Sequence, residues 1–212
     1  MAKSIQSNTS YEDETFKRIT QKGENIVGAT FSDCIFQHCD FNETQFVDCR
    51  FIGCDFTDCT LKLIVLGGTT FGTTTFADCD LMGVNWADAN WSDWASKIEP
   101  IAFDTCNLKY GVFVGLELNG AKFIGCDAQE VNFAEASLQK ANFTKTKLAG
   151  AIFLRTNLTE ANFVDAENYA INIHDNIMKD TRFSLPEATR LLHFLGIKLI
   201  DADSGQELTP DD

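Results

Sequence analysis

The residues best equipped to do chemistry in this chain are its eight cysteines: Cys34, Cys39, Cys49, Cys54, Cys59, Cys79, Cys106 and Cys126. Several lie five residues apart, and thiolates gathered at regular spacing could ligate zinc or an iron–sulfur cluster. Their neighbours argue for a plainer role. Each cysteine stands two positions before a member of a series made mostly of Phe and Leu, in a slot that Ala29 fills before Phe31 and Thr44 fills before Phe46. One small, inward-facing slot accounts for all eight, so they are expected to be buried free thiols acting as small hydrophobes. His38, His174 and His193 are scattered, and no nucleophile–base signature, phosphate-cradling glycine loop or zinc-ligand helix motif is present. No enzymatic activity, cofactor or metal is expected.

The series that positions the cysteines has a period of five: Ile26, Phe31, Phe36, Phe41, Phe46, Phe51, Phe56, Leu61, Leu66, Phe71, Phe76, Leu81, Trp86 and Trp91. Five matches neither the helical period of 3.6 nor the strand period of two, so the segment is a repeat. A break follows, with twelve residues from Trp91 to Phe103, two more than two repeats, which places a short insertion at 92–102. The register then resumes through Leu108, Phe113, Leu118, Phe123 and onward to Phe183. Every fourth centre repeats in kind, as in Phe103, Phe123, Phe143 and Phe163, which predicts a four-sided coil with one pentapeptide per side. Gly28, Gly53, Gly68, Gly83, Gly115, Gly120, Gly125 and Gly150 all fall two residues after a centre, where a corner would require a positive φ.

Residues 1–25 are expected to be a polar tail and cap, 26–91 and 103–183 two blocks of coils, and 184–200 a separate terminal element. In that element Ser184 and Glu187 form a capping box, residues 188–195 read as a short α-helix stopped by Gly196, and 197–200 as a short strand. Leu191, Leu192, Phe194, Leu195, Ile197 and Leu199 offer more apolar surface than plugging one coil needs, which points to a homodimer interface. Residues 201–212 are expected to be a disordered acidic tail. Neither a leader peptide nor a membrane span is indicated, and a cytoplasmic protein is expected.

A formal charge of −14 excludes direct nucleic-acid binding through a basic surface. The charge is uneven. From Glu24 to Ala95 eleven acids face two bases, a net of −9, whereas from Lys97 to Phe183 eleven acids face nine bases. On coils stacked at about 4.8 Å, the first half carries roughly one excess negative charge per 1.9 Å, against about 1.7 Å for duplex DNA. The candidate partner-binding residues are therefore Asp33, Asp40, Glu43, Asp48, Asp55, Asp58, Asp78, Asp80, Asp88 and Asp93, with Trp94 in the insertion. Leu63 and Val65 also fall on outward positions, either as an apolar patch or packed under the N-terminal segment.

Residues 26–183, with the small-x-Leu/Phe units Thr156-Asn157-Leu158 and Ala161-Asn162-Phe163, resemble the pentapeptide-repeat family. The resemblance implies an all-β fold, a right-handed quadrilateral parallel β-helix. Met82-Gly83-Val84-Asn85-Trp86, Asn168-Tyr169 with Ile171 and Ile173, and residues 183–188 resemble the topoisomerase-protecting branch, above all its albicidin-immunity members. That branch, which also holds microcin-immunity and Qnr proteins, implies a homodimeric DNA mimic that binds DNA gyrase or topoisomerase IV and relieves an inhibitor. An acidic scaffold unrelated to topoisomerases is the alternative.

Overall fold

The computed structural model describes residues 4–91 and 101–208. The chain coils into a parallel β-solenoid of about eight turns. Ser10–Glu12 pairs with Thr30–Ser32, which pairs with Arg50–Ile52 and then with Thr70–Gly72, always twenty residues on. A second ladder runs from Thr15–Lys17 through Ile35–Gln37, Asp55–Thr57 and Thr75–Ala77 to Ala102–Asp104 and Lys122–Ile124. Three-residue strands are all that a five-residue unit allows. The middle residue turns inward, its two neighbours turn outward, and the chain bends at a left-handed residue two positions after the centre.

That bend is occupied by glycine where the sequence reading expected it, with φ of 64° at both Gly28 and Gly53 and 67° at Gly68. Asp33, His38, Glu43, Asp48, Asp58 and Asp78 adopt the same conformation at other bends, with φ between 51° and 60°. Glycine is needed where the preceding turn's side chain lies across the bend: a Cβ on Gly53 would collide with the Asp33 carboxylate, and one on Gly68 with that of Asp48.

Like stacks on like inside the coil, as the twenty-residue period requires. Phe36 and Phe56 lie with ring centroids 4.3 Å apart and planes 6° from parallel, and Phe123 and Phe143 4.9 Å apart at 3°. Rings of adjacent rows meet edge-on, as Phe113 does with Phe123 at 5.6 Å and 89°. Both geometries place the positive ring edge against a negative face and add about 0.5–1.5 kcal/mol per pair to the burial itself.

Four boundaries differ from the sequence reading. The solenoid begins at Ser10 rather than Ile26: Tyr11 stacks on Phe31 and Phe16 on Phe36, so residues 10–25 are coil and not a tail. Gln21 fills the next inward position, and its buried side chain accepts from Ile5 N at 2.6 Å and donates to Ile5 O at 3.0 Å, which closes the end. The insertion is also longer than two residues. Phe76 pairs with Phe103 and Asn85 with Val112, each 27 positions on, so seven residues are added to one turn. Ile101 and Ala102 already belong to the coil, and residues 92–100 lie outside the described part.

The C-terminal element is a 3-10 helix, Glu187–Leu195, rather than an α-helix, and its capping box does not form. Ser184 Oγ instead accepts from Asp165 N at 2.9 Å, and Glu187 Oε1 accepts from Asn168 N at 2.6 Å. Both side chains reach back to unpaired amides of the last coil, whose next turn is missing. The helix ends at left-handed Gly196 as expected. Leu199–Ile200 then pairs antiparallel with Glu207–Leu208, so residues 201–208 continue as a hairpin rather than a disordered tail, and residues 209–212 of the expected tail lie outside the described part.

Candidate partner-binding surface

All eight cysteines are buried and free, each in the inward slot. Cys39, Cys59, Cys79, Cys106 and Cys126 stack in one column, and Cys39 N and Cys59 N each donate to the sulfur of the next turn at 3.4 Å. Each thiol in turn donates to the carbonyl of a centre in the preceding turn, as Cys59 does to Phe36 at 3.4 Å and Cys79 to Phe56 at 3.5 Å. Thr44, Thr69, Thr74 and Thr156 use their hydroxyls in the same way. Burial pushes the Cys54 thiol up to about 12 and raises Cys34 and Cys49 as well, while the hydrogen bond with Cys59, followed by burial, drives Cys39 far higher. These thiols are protonated packing groups at neutral pH. Among the described residues no cluster of three or more His, Cys, Asp or Glu side chains could hold a metal ion.

The carboxylates occupy two kinds of outward position. Asp33, Glu43, Asp48, Asp58 and Asp78 sit on bends and are exposed, and Asp88 ends the 3-10 turn Trp86–Asp88. Asp40, Asp55 and Asp80 flank a centre instead. Asp40 Oδ1 accepts from Thr60 Oγ1 and from Asn42 N, both at 3.1 Å, and Asp55 accepts from Thr75 Oγ1. Pairing thins the charge in places: Lys62 meets Asp80 at 2.9 Å, Lys22 meets Glu43 at 3.5 Å, and His38 lies 3.6 Å from Asp58. Asp58 and Asp78 share one bend column in successive turns, whereas Asp33 and Asp48 lie in different columns. Asp93 and Trp94 lie outside the described residues.

The added first turn dilutes the charge density read from the sequence. From Ser10 to Trp91 there are thirteen acids against five bases, a net of −8 over about four turns. At about 4.8 Å per turn this is roughly one excess charge per 2.4 Å, less than the sequence boundaries gave.

One row carries no charge. Beside Ile26, Phe46, Leu66, Trp86, Phe113, Phe133 and Phe153 the outward neighbours are Asn25 and Val27, Gln45 and Val47, Val65 and Gly67, Asn85 and Ala87, Val112 and Val114, Asn132 and Ala134, and Ile152 and Leu154. In this row Val65 is 45% exposed, and Leu63 and Tyr110, on the adjoining bend column that also holds Glu43 and Glu130, are 54% and 60% exposed. Leu63 and Val65 are thus a surface patch and are not packed under the N-terminal segment. The uncharged row was missed from sequence because it shows only when outward positions are sorted every twenty residues across a seven-residue break.

At the other end, Leu192, Leu195 and Ile197 are exposed, while Leu191 packs on the core. Phe194 is half-buried beside a cavity, and Leu199 is half-buried in the terminal hairpin. The six residues expected at a dimer interface are therefore split, with three presented to solvent.

A family model described as "Pentapeptide repeat region" matches residues 29–110, and one described as "Pentapeptide repeats (8 copies)" matches 117–153 and 136–167. The chain belongs to the pentapeptide-repeat family. Among solved structures, this pentapeptide-repeat protein is similar to a trypsin-treated form of QnrB1, a plasmid-mediated fluoroquinolone resistance protein, at 17% identity and a TM-score of 0.58, covering 93% of this chain and all of that one. A second trypsin-treated form gives a TM-score of 0.61 over 88% of this chain, and full-length QnrB1 gives 0.51 over 86%, both at 17% identity. No curated protein matches the sequence. At this identity the likeness establishes the shared fold. Among the described residues no helix is long and apolar enough to cross a membrane.

Proposed function

We propose that this protein is a non-enzymatic DNA mimic that binds DNA gyrase or topoisomerase IV and protects it from an inhibitor of the albicidin or quinolone type. The observation that carries the reading is the placement of Asp33, Glu43, Asp48, Asp58 and Asp78 on bends of a rigid solenoid, where the backbone fixes the spacing of exposed charge. The similarity to QnrB1 supports it. In this reading the rod is a right-handed quadrilateral β-helix in the cytoplasm, and two copies join through the C-terminal segment around Leu192, Leu195 and Ile197. The protein does not itself contact nucleic acid. The Trp94 segment and the acidic turns meet the enzyme. The test is a gyrase supercoiling assay with and without albicidin and a quinolone. Relief of inhibition by stoichiometric protein is expected, and its absence for every inhibitor, with no effect on supercoiling alone, overturns the proposal.

The uncharged row favours a second reading, an interaction scaffold unrelated to topoisomerases. Affinity capture from a cell extract that returns other proteins and no topoisomerase subunit would select it.

A further inference from the structure

The uncharged row is ridged along the axis of the coil. Val112 with Val114, and Ile152 with Leu154, flank their centres with large apolar side chains, whereas Asn85 with Ala87, and Asn132 with Ala134, flank the centres of the intervening turns. Val65 stands two turns before Val112 and continues the series. Beside it the Leu63 side chain lies over Gly83, where an added Cβ would meet Leu63 Cδ2 at 2.6 Å. Large residues therefore recur every second turn, about 9.6 Å apart. An α-helix advances about 10.5 Å in seven residues, so apolar side chains at heptad spacing meet the troughs at Asn85 and Asn132 to within about 1 Å.

The borders of the row fix the charge of what can lie there. Asp48 and Asp88 on one bend column and Glu130 on the other are exposed and have no ion pair among the described residues. Glu43 and Glu135 join them, met in part by Lys22 and Arg155. Such borders repel an identical face. The row also measures only about 29 Å from the turn of Ile26 to that of Phe153 and about 10 Å across, on the order of 300 Å². A standard interface takes about 800 Å² from each partner, so area and charge both disfavour a second copy. A helix of 20 residues is about 30 Å long and matches the row from end to end.

We propose that this row is the docking face for an amphipathic α-helix of a partner protein, about 20 residues long, whose apolar stripe is bordered by Lys or Arg. Its apolar residues enter the troughs between the ridges, and its basic borders meet the carboxylates of the two bend columns. The inference rests on the scaffold reading above and names its class of partner.

The test is titration calorimetry of the full chain with a synthetic 21-residue helix carrying Leu at heptad positions a and d and Lys at e and g, and with its counterpart carrying Glu at e and g. Saturable one-to-one binding of the Lys peptide is expected, at least about tenfold tighter than that of the Glu peptide. Val112→Asn with Ile152→Asn removes two ridges without changing charge and places there the residue already present at Asn85 and Asn132, so circular dichroism should be unchanged. This variant should weaken the Lys peptide by at least about tenfold, an effect that a purely electrostatic attraction would not show. Absence of saturable binding, equal affinity for the two peptides, or unchanged affinity in the Asn variant would each overturn the proposal. So would a dimer mass that falls to a monomer in the Asn variant, which would assign the row to a second copy. If neither peptide binds but affinity capture from extract still depends on Val112 and Ile152, the helix is overturned and the scaffold reading stands; if capture returns topoisomerase subunits alone, both fall.

Discussion

Neutralising the bend carboxylates of the acidic half separates charge placement from overall charge. Asp33, Asp48, Asp58 and Asp78 have φ between 51° and 53°, a region that asparagine enters as readily as aspartate, so the fourfold Asp→Asn variant should fold unchanged. It lowers the net charge of residues 10–91 from −8 to −4, stretching the spacing of excess charge over four turns from roughly 2.4 to roughly 5 Å. Exposed charges contribute about 0.2–1 kcal/mol each, so the four together should cost about 2 kcal/mol of binding, roughly thirtyfold in Kd. The dependence of affinity on salt should flatten, because fewer charges steer the encounter. The matched control neutralises Glu130, Glu135, Glu160 and Asp165, which occupy the same bend conformation in the second half with φ of 58°, 62°, 59° and 58°. Glu135 and Glu160 already pair with Arg155 and Lys140, so this set should change little. Titration calorimetry against purified gyrase at two ionic strengths reads both variants. Equal losses in the two sets, or a loss below twofold in the first, would refute placement as the cause.

Phe123→Ala removes a fully buried ring stacked between Phe103 and Phe143, and should cost about 3–5 kcal/mol in denaturant unfolding. The half-buried terminal Phe183, stacked on Phe163 alone within its row, should cost less when truncated in the same way. Gly68→Ala places a Cβ at a φ of 67° and against the Asp48 carboxylate, so a loss of about 1–3 kcal/mol is expected, and an unchanged midpoint would contradict the bend geometry. Leu192→Asp, at a 36% exposed position, should give a monomer by light scattering with unaltered circular dichroism; an unchanged dimer mass would remove the C-terminal interface from the proposed assembly. The thiols' contribution to stability should be flat in pH below the ordinary thiol range and fall above it. A thiol whose folded pKa is raised to about 12, as at Cys54, keeps its full contribution below about 8.5 and loses about 1.4 kcal/mol per unit between the two values. Cys54→Ala should make that alkaline fall shallower.

The rows of the solenoid were legible because a five-residue period of Phe and Leu is a direct image of which side chains turn inward. Its start was not, because Gln21 breaks the apolar series, and only the spacing of Tyr11, Phe16 and Gly23 around it preserves the register. The length of the insertion was misread for a related reason. Counting centres along the chain cannot distinguish two repeats plus two residues from one repeat plus seven, whereas pairing Phe76 with Phe103 does. The capping box at Ser184 and Glu187 failed because a terminal coil leaves amides at Asp165 and Asn168 that draw the same side chains away. Tyr169 entered the sequence reading only as part of a resemblance. Its burial depends on the turn of chain at Asn168, whose φ of 58° puts the next side chain inside.

The fold also explains why chemically promising residues carry none of the proposed function. Inward slots select for small size, and Cys and Thr there also donate to the preceding turn's carbonyl, so thiols accumulate there without reactivity. Outward positions have no such constraint and can be set row by row. A duplex presents phosphates around its whole circumference, but this rod leaves one row uncharged from Asn25 to Leu154. If it occupies a duplex-binding channel, it can do so in only one orientation about its axis, with the uncharged row turned from the channel's basic wall. Charge introduced on that row, as in Val65→Lys with Val112→Lys, should then leave gyrase affinity nearly unchanged. The same pair of substitutions should abolish binding to any partner that the rod meets as an apolar scaffold.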